Sequence, residues 1–266
     1  MKILILGGGN MGLTYGQSFL RSRIVTSEQL MVLCRTDEKA NLLAQNHDGR
    51  FFSDPQQCVP HADLLILAVK PQDSGRLFEQ VKPFIQPDQV FISIMAGVKL
   101  DKIATALGVE KVIRAMPNLP AQIGAGVTAF TSTDTVTRIE LVMVQNLLST
   151  TGKTLYVENE DMIDAATAIS GSGPAYVFYF MKAMIESAQN MGFSESEAEL
   201  LVIQTFTGAV DLYNKTDLSC QEWIGKVASK GGTTEAALRV FNEKELYNDI
   251  MAGAMAARDR ARELGA

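Results

Sequence analysis

Three glycines near the start, Gly7, Gly9 and Gly12, lie in "ILGGGNMG" directly behind the apolar run Lys2–Leu6. Between a strand and a helix, this spacing makes a cradle for a pyrophosphate. Gly7 permits the tight turn, Gly9 brings backbone up to the phosphates with no Cβ in the way, and Gly12 lets helix and strand pack closely. Asn10 and Met11 open the helix, whose free N–H groups and dipole favour an anion. The spacing alone is also met in structural glycine turns; the strand–helix setting points to a dinucleotide. The second strand ends in "VLCRTDEK" (Val32–Lys39). NAD-preferring sites place a carboxylate there for the ribose diol. Here Arg35 and Thr36 occupy that point, a planar cation for a 2′-phosphate and a hydroxyl donor, so NADPH is expected over a weaker NADH. Two further strand ends join the same crevice, Ala68, Val69, Lys70 and Pro71 in "LAVKP", and Ala96 and Gly97 in "IMAGV". Lys70 reads as a phosphate or substrate contact or as a plain surface lysine.

A second cluster, "SKGGTTEAALRVF" (Ser229–Phe241), places two glycines and two threonines before an amphipathic helix. Gly231 and Gly232 permit unusual φ and close approach, and Gly232, Thr233 and Thr234 turn N–H groups toward the helix mouth, where a carboxylate would sit. Two readings stay open on the residues alone: that cradle, or a glycine turn with an ordinary threonine cap.

These residues must be positioned by regular elements. "KILIL", "LMVLC", "LLILAV" and "VFISI" are continuous branched apolar runs, as in parallel strands buried on both faces. Met11–Leu20, Asp37–Gln45 and Asp73–Phe84 read as intervening helices, with Asp37 and Asp73 as N-caps. The alternation predicts an α/β fold, a Rossmann-type doubly wound sheet. "KVIRAM" and "GVTAFT" add strands and Thr135–Ser149 a helix. After "KTLYVEN" the strand signals stop and the pattern is all-α, so residues 1–160 and 161–266 are expected to form two domains. In the second, Pro174 opens a helix that Gly192 closes. Ser194-x-x-Glu197 and Ser219-x-x-Glu222 are capping boxes, and Asn242 is placed to cap the last helix. Methionines 162, 181, 184, 191, 251 and 255 make a stripe that reads as core or as a subunit interface.

The chain has 266 residues and a net charge of −6 with no extended basic run, which argues against nucleic acid or an anionic membrane as partner. Three widely spaced cysteines, Cys34, Cys58 and Cys220, form no paired framework or C-x-x-C site, and no metal site is expected. No stretch has the length of a membrane span, and the apolar start is too short for a secretory signal, so a reducing cytoplasm is the expected location.

"GGGNMG", "AVKP", "SIMAGV", "IRAMPNLPA", "AISGSGPAYVFYF" and "SKGGTTEAALRV" together run the length of the chain and resemble the pyrroline-5-carboxylate reductases, the last enzymes of proline synthesis. "RAMPN" with "SGSGPAY" is the most specific combination. The resemblance implies a Rossmann domain that binds NAD(P)H, followed by an all-α dimerisation domain that forms a homodimer and can build a decamer. It implies hydride transfer to the C=N of Δ1-pyrroline-5-carboxylate, giving L-proline. It puts the substrate carboxylate against Ser229 and the backbone of Gly232 and Thr233, with Thr234 toward the ring nitrogen as the catalytic hydroxyl. Met116, Pro117 and Asn118 line the nicotinamide side, and Gly171, Gly173 and Pro174 are structural. Lys230 replaces the signature proline, and Glu235 stands where an apolar residue is usual. Two rivals are another imine or 2-hydroxy-acid reductase of the same plan, the hydroxy-acid option using Lys182, and an NADPH-binding sensor without turnover.

Overall fold

The computed structural model describes residues 1–265. Its sheet has eight strands: β1 (Ile3–Leu6), β2 (Leu30–Leu33), β3 (Arg50–Phe52), β4 (Leu64–Leu67), β5 (Val90–Ser93), β6 (Val112–Met116), β7 (Gly126–Ser132) and β8 (Gly152–Tyr156). Their order is β3-β2-β1-β4-β5-β6-β7-β8. The first six are parallel, β7 runs antiparallel to β6, and β8 is parallel to β7. Every residue of β1, β2, β4 and β5 is buried, which is why their sequences are continuous rather than alternating.

Successive side chains feed two cores. Ile3 and Ile5 join Tyr15 and Phe19 on one face, while Leu4 and Leu6 join Phe78 and Ile103 on the other. Each such side chain contributes about 1.5–3 kcal/mol by leaving water. The layers are completed by α1 (Asn10–Arg21), α2 (Asp37–Asn46), α3 (Ser74–Val81), α4 (Leu100–Leu107), α5 (Arg138–Ser149) and α6 (Asp161–Ala166). Strand β3 and helix α4 were not expected from the sequence. β3 is a three-residue edge strand, only partly buried, and carries no long apolar run. The cap of α2 is also corrected. Thr36, not Asp37, is its N-cap and accepts from the Lys39 N–H at 3.3 Å.

The compact units are Met1–Ser172 with the chain from Ala256 onward, and Gly173–Met255. Helix α6 thus goes with the sheet rather than with the all-α unit, because its Asp164 pairs with Arg114 of β6. The helices that follow are α7 (Gly173–Asn190), α8 (Glu195–Asn214), α9 (Cys220–Val227), α10 (Thr233–Glu243) and α11 (Leu246–Gly265). Both capping boxes are present, at Ser194/Glu197 and Ser219/Glu222. Asn242 is no cap: it lies within α10, and the helical path is interrupted at Glu245, whose φ is 55°, before α11 begins. Between residues 173 and 255 only Ala198 and Val202 are buried. Met184, Met191, Met251 and Met255 are exposed, as are Phe178, Tyr179, Leu200 and Tyr247, so the core reading of the methionine stripe does not hold within one chain. A unit with so little burial cannot offset its ordering entropy alone, and its apolar faces call for a partner surface.

Candidate active site

The carboxyl ends of β1, β2 and β4 open onto a cavity of about 660 Å³, within the size range of small-molecule sites. Gly7 bends away from β1 at φ 120°, and a Cβ there would stand 2.7 Å from the Ala68 carbonyl oxygen. A Cβ on Gly12 would collide with the Gly7 carbonyl and the Ile5 side chain, whereas one on Gly9 would meet open space. The three glycines therefore differ in kind, one for the turn, one for close packing and one for a surface bare of side chain. Gly9 is the N-cap of α1 and can give no side-chain cap, so the first N–H groups of the helix, from Asn10 and Met11, face outward. This cradle suits a pyrophosphate.

Of the residues expected from the sequence, Gly7, Gly9, Arg35, Ala68, Val69 and Lys70 line the cavity. Arg35 reaches Asp73 with Nη2–Oδ2 at 3.1 Å, both side chains substantially exposed. Thr36 differs from expectation. Its oxygen caps α2, and with the backbone N–H of Glu38 its hydroxyl holds the Glu38 carboxyl below the usual range, so it serves the helix start. Pro71 begins a short 3-10 turn (Pro71–Asp73) that leads into α3. Lys39 and Arg76 also line the cavity and were missed. Their signal is positional: both follow strand ends of the crevice on the first turns of α2 and α3. Burial pushes the Cys34 thiol up, opposed only in part by Lys39, so this lining thiol is an uncharged wall at neutral pH.

Ala96 is half-buried behind β5, and Met116 ends β6. Gly97 has a cause of its own. At φ 78° a Cβ would stand 2.8 Å from the Ala261 carbonyl oxygen, so it admits the last turns of α11. Asn118 Oδ1 accepts from the Val127 N–H at 2.9 Å, which fixes the carboxamide. Lys182 pairs with Glu186 at 3.5 Å on an exposed helix face, an ordinary surface arrangement.

In the helical unit, residues 229–232 form a tight turn. The Gly232 N–H donates to the Ser229 carbonyl at 3.0 Å, and Gly231, third in the turn, has φ 73°. That is the pattern of a type II turn, in which proline is favoured at the second position and glycine at the third. Gly232 then caps α10, and a Cβ on it would lie 2.6 Å from Ser229 Oγ. The glycine thus leaves the Ser229 hydroxyl at the helix mouth. One expectation changes: the Gly232 N–H is engaged in the turn, so the donors left for an anion are the first N–H groups of the helix, from Thr233 and Thr234. Glu235 has a local role, since its Oε2 accepts from the Gly231 N–H at 2.6 Å.

Residues 160–264 match the family profile described as pyrroline-5-carboxylate reductase dimerisation, and residues 2–97 match one described as NADP oxidoreductase, coenzyme F420-dependent. Pyrroline-5-carboxylate reductase 2 of Bacillus subtilis is 33% identical over 252 residues, covering 94% of this chain and 90% of the relative. The Aquifex aeolicus reductase is 34% identical, covering 94% and 92%. The chain belongs to the pyrroline-5-carboxylate reductase family. Among solved structures, the Plasmodium falciparum pyrroline carboxylate reductase with NADP bound superposes with a TM-score of 0.91 at 26% identity, covering 100% of this chain and 98% of that one.

Lys230 occupies the position where a type II turn favours proline. Lys230→Pro removes unfolded-state freedom and is expected to stabilise the chain by about 0.4–1 kcal/mol. Thermal unfolding checks this; a lowered midpoint would show that the turn does not tolerate the ring.

Proposed function

We propose that this NAD(P)H-dependent oxidoreductase reduces the C=N bond of Δ1-pyrroline-5-carboxylate to L-proline with NADPH as its favoured cofactor, and that Ser229–Thr234 hold the substrate. The observation that carries the site assignment is the turn that runs into α10, with a bare glycine beside the Ser229 hydroxyl and two helical N–H groups at its mouth. The carboxylate accepts from Ser229 and the Thr233 N–H, with Gly232 giving it room. Thr234 turns its hydroxyl to the ring nitrogen. The helix dipole adds about 0.3–1 kcal/mol, so the direct hydrogen bonds carry most of the affinity.

Bound NADPH would supply the hydride, which the imine carbon C2 takes as the C=N π pair moves to nitrogen; that carbon becomes C5 of proline. Gly9, Asn10 and Met11 take the pyrophosphate and Arg35 the 2′-phosphate. Met116 and Asn118 bound the nicotinamide side. A protonated imine is already electrophilic, so the chain's work is orientation, which is worth several kcal/mol. This accords with a site built of glycines, hydroxyls and backbone donors.

The exposed apolar faces between residues 173 and 255, together with the dimerisation profile, support a homodimer formed through the helical unit, with assembly to a decamer as a further step. Its three thiols are all free, as suits the cytoplasm. The deciding assay follows NADPH oxidation with Δ1-pyrroline-5-carboxylate, then with NADH, while light scattering gives the mass. Proline formation faster with NADPH, from a dimer or larger, is expected. NADPH binding without consumption, or turnover of 2-hydroxy acids instead, overturns the reaction; a monomer overturns the assembly.

A further inference from the structure

Arg114 is the bulkiest of the fully buried side chains, and hydride transfer makes no direct use of it. It sits on β6, two residues before Met116. Its Nη1 donates to Glu160 Oε1 at 3.0 Å and its Nη2 to Asp164 Oδ1 at 2.5 Å. The same Glu160 oxygen accepts from the N–H of Leu100, the first residue of α4, at 2.8 Å. One guanidinium and one carboxylate thus join three pieces of chain: the strand that carries residues 116–118, the segment that follows Ala96–Gly97, and helix α6.

Helix α6 continues into a π-helical turn, Thr167–Gly171, closed by the Ser172 N–H on the Thr167 carbonyl at 2.9 Å. Such turns are rare and concentrate at functional sites. This one sets Gly171 on Met116, where a Cβ would stand 2.7 Å from the Met116 methyl carbon. Met116 is therefore held from both ends, by Arg114 along its own strand and by Gly171 against its tip.

Stability does not account for the triad. Asp164 and Arg114 are fully buried, and Asp164 Oδ2 and Arg114 Nε have no hydrogen-bond partner among the described residues. Buried ion pairs lose desolvation energy, and replacing both partners by apolar groups is often neutral or stabilising. Incomplete pairing makes the pair a poorer stabiliser still.

We infer that Arg114, Glu160 and Asp164 are positioning residues, a buried joint that sets the register between the Met116–Asn118 wall and the π-turn behind it. The joint acts through Met116 and not on the substrate. It rests on the proposed placement of the nicotinamide beside residues 116–118. Displacement of a reacting group by an ångström is enough to slow transfer by about a hundredfold.

The test is the double variant Arg114→Met/Asp164→Leu, since Asp164→Asn alone would strand a buried cation and risk unfolding. Glu160 stays to hold the Leu100 N–H. The double variant is expected to unfold at or above the wild-type temperature and to bind NADPH with unchanged affinity, while kcat falls about ten- to a hundredfold. A wild-type kcat overturns the joint. So does a double variant that no longer folds, because that would make the triad a stabilising element. Asn118→Ala separates the two layers of inference. If it leaves kcat and the KM for NADPH untouched, the nicotinamide placement is what fails. If it is impaired and the double variant is not, only the joint fails.

Discussion

Arg35→Ala is expected to weaken NADPH binding by about ten- to a hundredfold and to leave NADH almost unchanged. Arg35 stands at the mouth of the cavity that follows β2, where a dinucleotide carries its 2′-substituent. Its guanidinium rests on Asp73 at 3.1 Å. An exposed pair of this kind contributes only about 0–1 kcal/mol, so a phosphate displaces the carboxylate at little cost. A hydrogen bond to a charged group is worth about 1.5–3 kcal/mol, and the size of the expected loss follows from it. Lys39 and Arg76 line the same cavity and keep the residual attraction for phosphate. Titration of the variant with both nucleotides is the check. Equal losses for NADPH and NADH would remove Arg35 from cofactor selection.

Thr234→Val should lower kcat/KM for the imine by up to about a hundredfold, with NADPH binding intact. The substitution keeps the branched shape and removes only the hydroxyl. Thr234 is half-buried in the first turn of α10, one residue beyond Thr233, so the helix itself fixes where that hydroxyl stands. On the proposed placement, its loss would leave the substrate nitrogen without its partner while the carboxylate keeps Ser229 and the Thr233 N–H. Steady-state kinetics with varied imine decide the matter. Unchanged turnover and Michaelis constant would take Thr234 out of the reaction.

The parts of the fold that were legible are those in which one physical rule dominates. Strands β1, β2, β4 and β5 are buried on both faces, so composition alone marks them. The two serine capping boxes are local hydrogen-bond patterns and lie where their residues stand in the sequence. What stayed hidden depends on partners far along the chain. β3 exists because it pairs with β2, from Met31–Arg50 to Leu33–Phe52, and its own three residues say little. Arg114 looks like an ordinary strand residue until α6 brings Asp164 to it from 50 positions away. Gly97 reads as a small wall for a ligand, but the last turns of α11 fill the space beside it.

In the candidate site the same division holds. Gly7, Gly9 and Gly12 are explained by the turn they make. The second cluster was legible as a glycine turn or a donor cradle, but not which N–H closes the turn, with Gly232 on Ser229 and the next two residues left at the helix mouth. Lys39 and Arg76 went unseen because a cation in the first turns of a surface helix has no pattern until the cavity is drawn around it.

The most direct measurement is a crystal structure of the chain with NADPH and L-proline. Proline is expected with its carboxylate on the Ser229 hydroxyl and the Thr233 N–H, and with the Thr234 hydroxyl toward its ring nitrogen. Proline bound elsewhere, with residues 229–234 making no contact to it, would contradict the assignment of this turn and helix as the substrate site.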